Sequence, residues 1–168
     1  MSATTNLHSL VREVSALLSA RGLRIAVAES CTGGLIAATC TGEPGSSAWF
    51  ECGVVAYTAA AKSRLLGVSA STIESFGVVS ENTAREMAEG ILARCAADRS
   101  VSITGIAGPG GGTQASPVGR VWLAWAARRG NTIATVRTAK HDLPGNRTRV
   151  RNRCVEIALT GLVTLDAP

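Results

Sequence analysis

The sequence predicts an α/β fold, a three-layer α/β/α sandwich with a mixed central sheet. Helical and strand patterns alternate through the first part of the chain, and two strand patterns joined by a short polar turn follow later. Alternation is typical of parallel strands with helices on both faces, whereas a late hairpin adds antiparallel strands. With 168 residues, 46% of them hydrophobic, the chain is long and apolar enough to bury a continuous core. We therefore expect one domain over residues 1–168.

The predicted helices and strands follow the spacing of apolar residues and the positions of glycine and proline. In chain order they are a helix over 4–20, a strand over 24–28, a helix to about residue 41, a strand over 53–58, helices over 59–66, 71–76 and 80–95, a strand over 100–104, strands over 120–127 and 132–139, and a helix over 146–165.

Local signals define the elements of the first half. Apolar residues recur every three or four positions over 4–20, which indicates an amphipathic helix that Gly22 ends. The apolar run at 24–28 predicts a buried strand, and a tight loop of small residues joins it to a short helix. The run at 53–58 has the composition of a strand, and Gly67 ends the helix that follows it.

The second half begins with a helix that Ser80 is well suited to cap, and its apolar stripe faces the core. Residues 100–104 predict a third strand, and a long glycine-rich loop over 105–119 follows. The polar turn at 128–131 separates two strand patterns, which predicts an antiparallel hairpin. We expect a helix to close the chain.

Composition excludes several classes of protein. The N-terminal residues lack a basic region followed by an apolar one, and no run approaches the roughly 18–20 apolar residues of a membrane span. The five cysteines are odd in number and form no CxxC pair, and His8 and His141 lie far apart. We therefore expect a cytoplasmic protein with reduced cysteines, no membrane association and no structural metal.

The net charge of +5 is concentrated in one stretch of the chain. Residues 120–154 hold nine basic residues and one acid, Asp142, so this stretch carries +8 and the remainder −3. Such a region is typical of a site that binds a phosphate-bearing ligand or nucleic acid, or of a surface that only faces solvent. Its last four arginines step by two along the final helix, which spreads them around its surface and disfavours nucleic acid.

Ser30 is a candidate nucleophile because it lies in the turn between a buried strand and a helix opened by glycines. Backbone N–H groups of Cys31, Thr32, Gly33 and Gly34 are candidates to stabilise an oxyanion there, helped by the positive end of the helix dipole. In the alternative interpretation, Ser30 or Thr32 only caps the helix.

A serine nucleophile needs a base, and Lys62 is the best candidate. Only Lys62 and Lys140 are lysines among 17 basic residues, which suggests a task that arginine cannot perform, such as acting as a neutral base. The two histidines are poorly placed, His8 on the first helix and His141 in a turn after the hairpin.

Tyr57 lies near the end of the predicted strand over 53–58, and Lys62 follows that strand by one helical turn. Both therefore lie at the carboxyl end of a strand that we expect to neighbour that of Ser30. In the alternative interpretation, Lys62 is an exposed helix lysine. The glycine-dense segment 105–113, which includes Gly105 and Gly108, lacks the GK[ST] ending of a P-loop. Its N–H groups suit phosphate or carboxylate, although a plain surface loop is the alternative.

Several long motifs resemble the CinA C-terminal domain family, the nicotinamide-nucleotide amidases, in the order in which that family has them. They are AESCTGGLIA (28–37), SSAWFECGVVAYT (46–58), GVVSENTAREMAEG (77–90), SITGIAGPGGGT (102–113) and PVGRVWLA (117–124). The resemblance extends over residues 23–165.

This resemblance implies an α/β/α fold, a homo-oligomer, and a serine hydrolase that converts nicotinamide mononucleotide and water to nicotinic acid mononucleotide and ammonia in pyridine nucleotide recycling, without a cofactor. It implies Ser30 as nucleophile, Lys62 as base and Tyr57 as an assisting group. Thr104 and Arg147 match positions that the family places around the substrate.

The sequence departs from the family pattern at two places: YTAAAK stands for YSNEAK at 57–62, and GNR for GDR at 145–147. It also lacks the additional N-terminal domain of the longer CinA proteins, which favours a stand-alone amidase. Two alternatives stay open: an amidase for another small amide, and a non-catalytic nucleotide-binding or DNA-uptake protein.

Overall fold

The computed structural model describes residues 3–165, with the backbone alone for residues 3–6 and 136. Its elements are α1 (Ala3–Arg21), β1 (Ile25–Glu29), α2 (Leu35–Thr41), a 3₁₀ turn (Ser46–Ala48), β2 (Phe50–Val55), α3 (Ala59–Ala61) continuing into a π-helical turn (Lys62–Leu66), α4 (Ala70–Phe76), α5 (Glu81–Leu92), β3 (Arg99–Gly105), β4 (Arg120–Arg129), β5 (Thr132–Asp142) and α6 (Arg147–Val163). Across this part of the chain, no helix is long and apolar enough to cross a bilayer.

The strands of the described residues form one mixed sheet in the order β2-β1-β3-β4-β5. Strand β1 pairs in parallel with both β2 and β3, whereas β3, β4 and β5 pair antiparallel. The carboxyl ends of the three parallel strands therefore meet at one edge of the sheet, which is where open α/β sheets bind ligands. The predicted mixed sheet is confirmed.

Helices cover both faces of the sheet. On one face, α1, α2 and α6 pack against large strand residues such as Val27, Val101 and Leu123. On the other face, α5 packs against small residues such as Ala26 and Ala124. Successive strand residues point to opposite faces, so each strand presents large side chains to one layer and small ones to the other. The predicted α/β/α sandwich is confirmed.

Helix α5 lies close to the sheet because the strand residues facing it are small. The hydroxyls of Ser100 and Ser102 on β3 donate hydrogen bonds to the backbone carbonyls of Ala88 and Ala84 on this helix. Ser80 accepts a hydrogen bond from a backbone N–H in the first turn, as its predicted role as N-cap requires. Strand β3 and the start of α5 are therefore firmly joined beside the carboxyl edge of the sheet.

Strand β2 begins three residues before the predicted strand over 53–58 and ends at Val55. As an edge strand it pairs only with β1 among the described strands, so it needs no continuous apolar run. Gly53 lies mid-strand, where a Cβ atom would come within 2.9 Å of Ala37 Cβ on α2. Glycine thus permits a close helix–strand contact here.

The predicted helix over 59–66 is not one continuous α-helix. Thr58 Oγ1 caps a first α-turn, and the backbone changes to π-helical hydrogen bonding at Lys62. Apolar spacing does not distinguish these two hydrogen-bond patterns. The placement of His141 in a turn is also wrong, because β5 continues through Asp142 and His141 pairs with β4.

Candidate active site

A cavity of about 250 Å³ lies at the carboxyl ends of β1, β2 and β3. Segments far apart in sequence meet there because the three parallel strands end at the same edge of the sheet. Six residues that the sequence predicts for the site line this cavity: Ser30, Cys31, Tyr57, Lys62, Thr104 and Gly105.

Ser30 and Lys62 form a buried pair at the base of this cavity. Lys62 Nζ lies 2.8 Å from Ser30 Oγ and 2.9 Å from the carbonyl oxygen of Ala56. The exposed fractions are only 2% for Lys62 and 6% for Ser30. The alternative interpretation of Lys62 as an exposed helix lysine is therefore wrong.

Burial lowers the pKa of Lys62 to about 8, an effect that the neighbouring Cys31 only partly opposes. As an ammonium, Nζ donates hydrogen bonds to both Ser30 Oγ and the Ala56 carbonyl. As a neutral amine, Nζ keeps one N–H on that carbonyl and turns its lone pair to Ser30 Oγ, which becomes the donor. The pair thus has the geometry of a nucleophile beside its base.

The backbone around Lys62 is fixed at both ends of its short helix. Thr58 Oγ1 accepts the N–H of Ala61 before the π-helical turn begins. At the other end, a Cβ atom on Gly90 of α5 would lie 1.8 Å from the carbonyl oxygen of Leu66. Only glycine allows α5 to support this turn so closely, and π-helical turns are frequent at functional sites.

The turn after Ser30 is organised by Glu29, a fully buried carboxylate at the end of β1. Its Oε2 accepts the N–H groups of Gly34 at 3.0 Å and Ile36 at 3.1 Å, and its Oε1 accepts that of Ala37 at 2.8 Å. Gly34 stands at the N-cap with a φ of 92° and has no side chain with which to cap the helix. Glu29 therefore occupies the positive end of α2.

This arrangement narrows the set of predicted oxyanion donors. The N–H of Gly34 binds Glu29, and the N–H of Gly33 donates to the Ser30 carbonyl at 3.0 Å. No other described residue accepts the N–H of Cys31 or Thr32. Cys31 lines the cavity, whereas Thr32 is buried behind it.

Arg147 connects two predicted site segments at the cavity mouth. Its Nη2 donates to Tyr57 Oη at 3.2 Å, and its Nη1 donates to the Gly108 carbonyl at 3.0 Å. The side chain of Tyr57 is mostly exposed. Lys62 contacts Ser30 directly, so Tyr57 is not needed to join them.

Thr104 and Gly105, at the end of β3, form the opposite wall of the cavity. Thr104 Oγ1 donates to the carbonyl of Val78 at 2.6 Å, which joins β3 to the segment before α5. Val78 and Val79 also line the cavity, although the sequence patterns did not indicate them. The one sequence feature that could have indicated them is their position just before the N-cap residue Ser80.

Two charged residues of the site were also missed. Glu29 ends an apolar strand directly before Ser30, and a buried charge at that place was a usable signal. Arg151 on α6 donates to the Thr32 carbonyl at 2.6 Å. Nothing in the sequence distinguishes Arg151 from the neighbouring arginines of α6, because the helix packing alone selects it.

The family model for the CinA C-terminal domain matches residues 7–165. This chain belongs to the CinA C-terminal domain family. Among proteins similar to it, the nicotinamide-nucleotide amidohydrolase PncC of Enterobacter agglomerans is 48% identical over 91% of both chains. PncC of Escherichia coli K12 is 44% identical over 94% of this chain and 93% of its own.

Solved structures of the CinA family share this fold. A CinA superfamily protein from Klebsiella pneumoniae 700603 superposes with a TM-score of 0.88 at 37% identity, covering 95% of this chain and 97% of the other. The family resemblance expected from the motifs is confirmed, and it extends over helix α1 and helix α6 as well as the motif segments.

Proposed function

We propose that this chain hydrolyses the carboxamide of nicotinamide mononucleotide to nicotinic acid mononucleotide and ammonia, with Ser30 as nucleophile and Lys62 as base. The observation that carries this proposal is the 2.8 Å contact between Lys62 Nζ and Ser30 Oγ inside a buried pair. The names of the two amidohydrolases that are 48% and 44% identical to this chain support the substrate. The reaction belongs to pyridine nucleotide recycling.

In the first step, neutral Lys62 takes the proton of Ser30 as the serine oxygen attacks the carboxamide carbon. A C–O bond forms, and the electron pair of the carbonyl moves to its oxygen. The N–H of Cys31, with that of Thr32 behind it, is the candidate donor to this oxyanion. The protonated Lys62 keeps a hydrogen bond to the Ala56 carbonyl, which holds it in place.

In the second step, the tetrahedral intermediate collapses. Lys62 gives its proton to the departing nitrogen, the C–N bond breaks, and ammonia leaves a nicotinoyl ester on Ser30. Water then attacks the ester while Lys62 accepts its proton, and the proton returns to Ser30 as the C–O bond breaks. Every proton transfer uses residues of this chain, so the proposed mechanism requires no cofactor.

The substrate enters with its carboxamide towards Ser30 and its phosphate towards the cavity mouth. Thr104 and Gly105 flank the pyridine ring, and Tyr57 assists at the mouth, where Arg147 holds its hydroxyl. The Arg147 guanidinium and the loop around Gly108 are the candidate phosphate ligands. From composition and length we expect the enzyme to act in the cytoplasm as a single domain, and the family resemblance implies a homo-oligomer.

The direct test is to incubate the purified chain with nicotinamide mononucleotide and to measure ammonia and nicotinic acid mononucleotide together. We expect both products in equal amounts from the parent and neither from Ser30→Ala. Saturable binding without ammonia release would contradict the proposal and support the binding-only alternative. Turnover of other amides, with none of this nucleotide, would support an amidase of different specificity.

A further inference from the structure

Helix α6 holds the turn after Ser30 at two points. Arg151 Nη2 donates to the Thr32 carbonyl at 2.6 Å. One helical turn further along α6, the buried Cys154 thiol belongs to the same core cluster as Cys31 and lowers its pKa. The turn that carries the nucleophile is therefore held from α6, the helix whose first residue, Arg147, lies at the cavity mouth.

Two peptide groups connect Arg151 to the N–H of Cys31. The Thr32 carbonyl accepts from Arg151, and the N–H of the same peptide group, which belongs to Gly33, donates to the Ser30 carbonyl at 3.0 Å. The peptide group of that carbonyl carries the N–H of Cys31. No other described residue accepts this N–H, and Cys31 lines the cavity.

The chain of hydrogen bonds is buried at Thr32 and Cys31, whereas Gly33 is exposed and Arg151 is half-buried. Thr32 is completely buried, and its Oγ1 has no hydrogen-bond partner among the described residues. Arg151 Nε is buried in the same way. Each hydrogen bond in such a chain polarises the next by roughly 10–30%. The positive charge at Arg151 therefore strengthens the N–H of Cys31 as a donor.

We propose that Arg151 is a positioning residue for amide hydrolysis, which orients and polarises the two peptide groups that end at the N–H of Cys31. The effect is largest when negative charge develops on the substrate oxygen, so Arg151 acts on kcat and hardly on substrate binding. This inference rests on the proposed function, because it assigns the Cys31 N–H to the oxyanion.

The test compares Arg151→Gln and Arg151→Lys with the parent and with Arg149→Gln, a matched control at an exposed position of α6. With nicotinamide mononucleotide as substrate, we expect kcat of Arg151→Gln to fall about ten- to a hundredfold, since losing one direct oxyanion donor costs about 10²–10³. We expect KM to stay within about twofold. Arg151→Lys keeps a charge and should retain more of kcat than the glutamine variant, and the control should match the parent.

A second readout does not depend on turnover: the amide proton shifts of Gly33 and Cys31, measured by NMR in the parent and in Arg151→Gln. Polarisation by Arg151 predicts an upfield shift of both amide protons in the variant.

A parent that releases no ammonia would contradict the proposed function. In that case the amide proton shifts alone would test whether Arg151 polarises the two peptide groups. An active parent with unchanged kcat in both Arg151 variants would overturn the inference. Equal changes in kcat and KM with a lowered melting temperature would also overturn it, since they indicate a structural role only.

Discussion

Burial gives Lys62 a chemistry that no arginine of this chain can supply. Its amine lies between Ser30 Oγ and the Ala56 carbonyl, with 2% of the residue exposed. An amine with a pKa of about 8 is neutral in roughly a tenth of molecules at pH 7, whereas a guanidinium is always charged. Composition and position indicated Lys62 as the base, but the lowered pKa follows from packing that the sequence does not display.

The pH dependence of kcat/KM should therefore follow Lys62. The base works only when neutral, so kcat/KM should rise through about pH 8 and level off above it. Below that pKa, activity should fall about tenfold per pH unit. The measurement is kcat/KM for nicotinamide mononucleotide between pH 6 and 10. A profile that is flat across this range would contradict the assignment.

The rival nucleophile is Cys31, which adjoins Ser30 and whose pKa is lowered, chiefly by the hydrogen bond from Cys154. Lys62 contacts the serine oxygen, so we expect Cys31→Ala to keep most of its turnover. Ser30→Ala should lose turnover by a factor on the order of 10⁴ or more. Ammonia release by the two variants decides between them, and the reverse order of activities would assign the chemistry to the thiol.

The turn between β1 and α2 depends on Glu29. Its two carboxylate oxygens accept three N–H groups at the start of α2, where glycine at the N-cap offers no side chain. The strand, the loop and the helix were predicted from the sequence in this order. The sequence did not predict which N–H groups remain free to bind an oxyanion. That depends on the buried Glu29 carboxylate, which accepts N–H groups of the turn and of α2.

Replacing Glu29 with glutamine should destabilise the protein. The amide offers one acceptor oxygen, so at least one of the three N–H groups loses its partner, at a cost of about 1–3 kcal/mol in the free energy of unfolding. Urea denaturation measures this, with Glu13→Gln on the exposed face of α1 as the matched control. Equal stability of the two variants would show that Glu29 does not organise the turn.

Boundaries were predicted least well where tertiary contacts decide them. The start of β2 depends on pairing with β1 at the edge of the sheet, and the π-helical turn at Lys62 depends on α5 passing close at Gly90. In contrast, Gly22 and Gly67 follow their helices as predicted, both with positive φ, because glycine adopts that backbone locally.

In the folded molecule, the basic stretch over 120–154 does not form one patch. Arg120 pairs with Asp142, and Arg128 donates to three backbone carbonyls. The guanidinium of Arg137 lies 4.4 Å from the ring centroid of Trp125. The charge of this stretch predicted an anionic ligand but not which arginine would bind it. The fold decides this, because it brings the side chain of Arg147 to the cavity mouth.

A 5′-phosphate on the substrate should matter through Arg147. Nicotinamide riboside should show a much lower kcat/KM than the mononucleotide in the parent, and Arg147→Gln should reduce that difference by about tenfold, since a hydrogen bond to a charged group contributes about 1.5–3 kcal/mol. Arg149→Gln, at an exposed position of the same helix, serves as the control. Equal kcat/KM for riboside and mononucleotide in the parent would exclude a phosphate role for Arg147.

The turnover rate of Lys62→Arg decides whether Lys62 serves as a neutral base for Ser30. Arginine keeps the positive charge but cannot be deprotonated, so this variant should lose about a hundred- to ten-thousandfold in kcat, as Lys62→Met should. Thermal melting should show that both variants fold, and calorimetry should show that they bind the nucleotide. Turnover of Lys62→Arg close to that of the parent would show that charge alone suffices at this position and would contradict the serine–lysine mechanism.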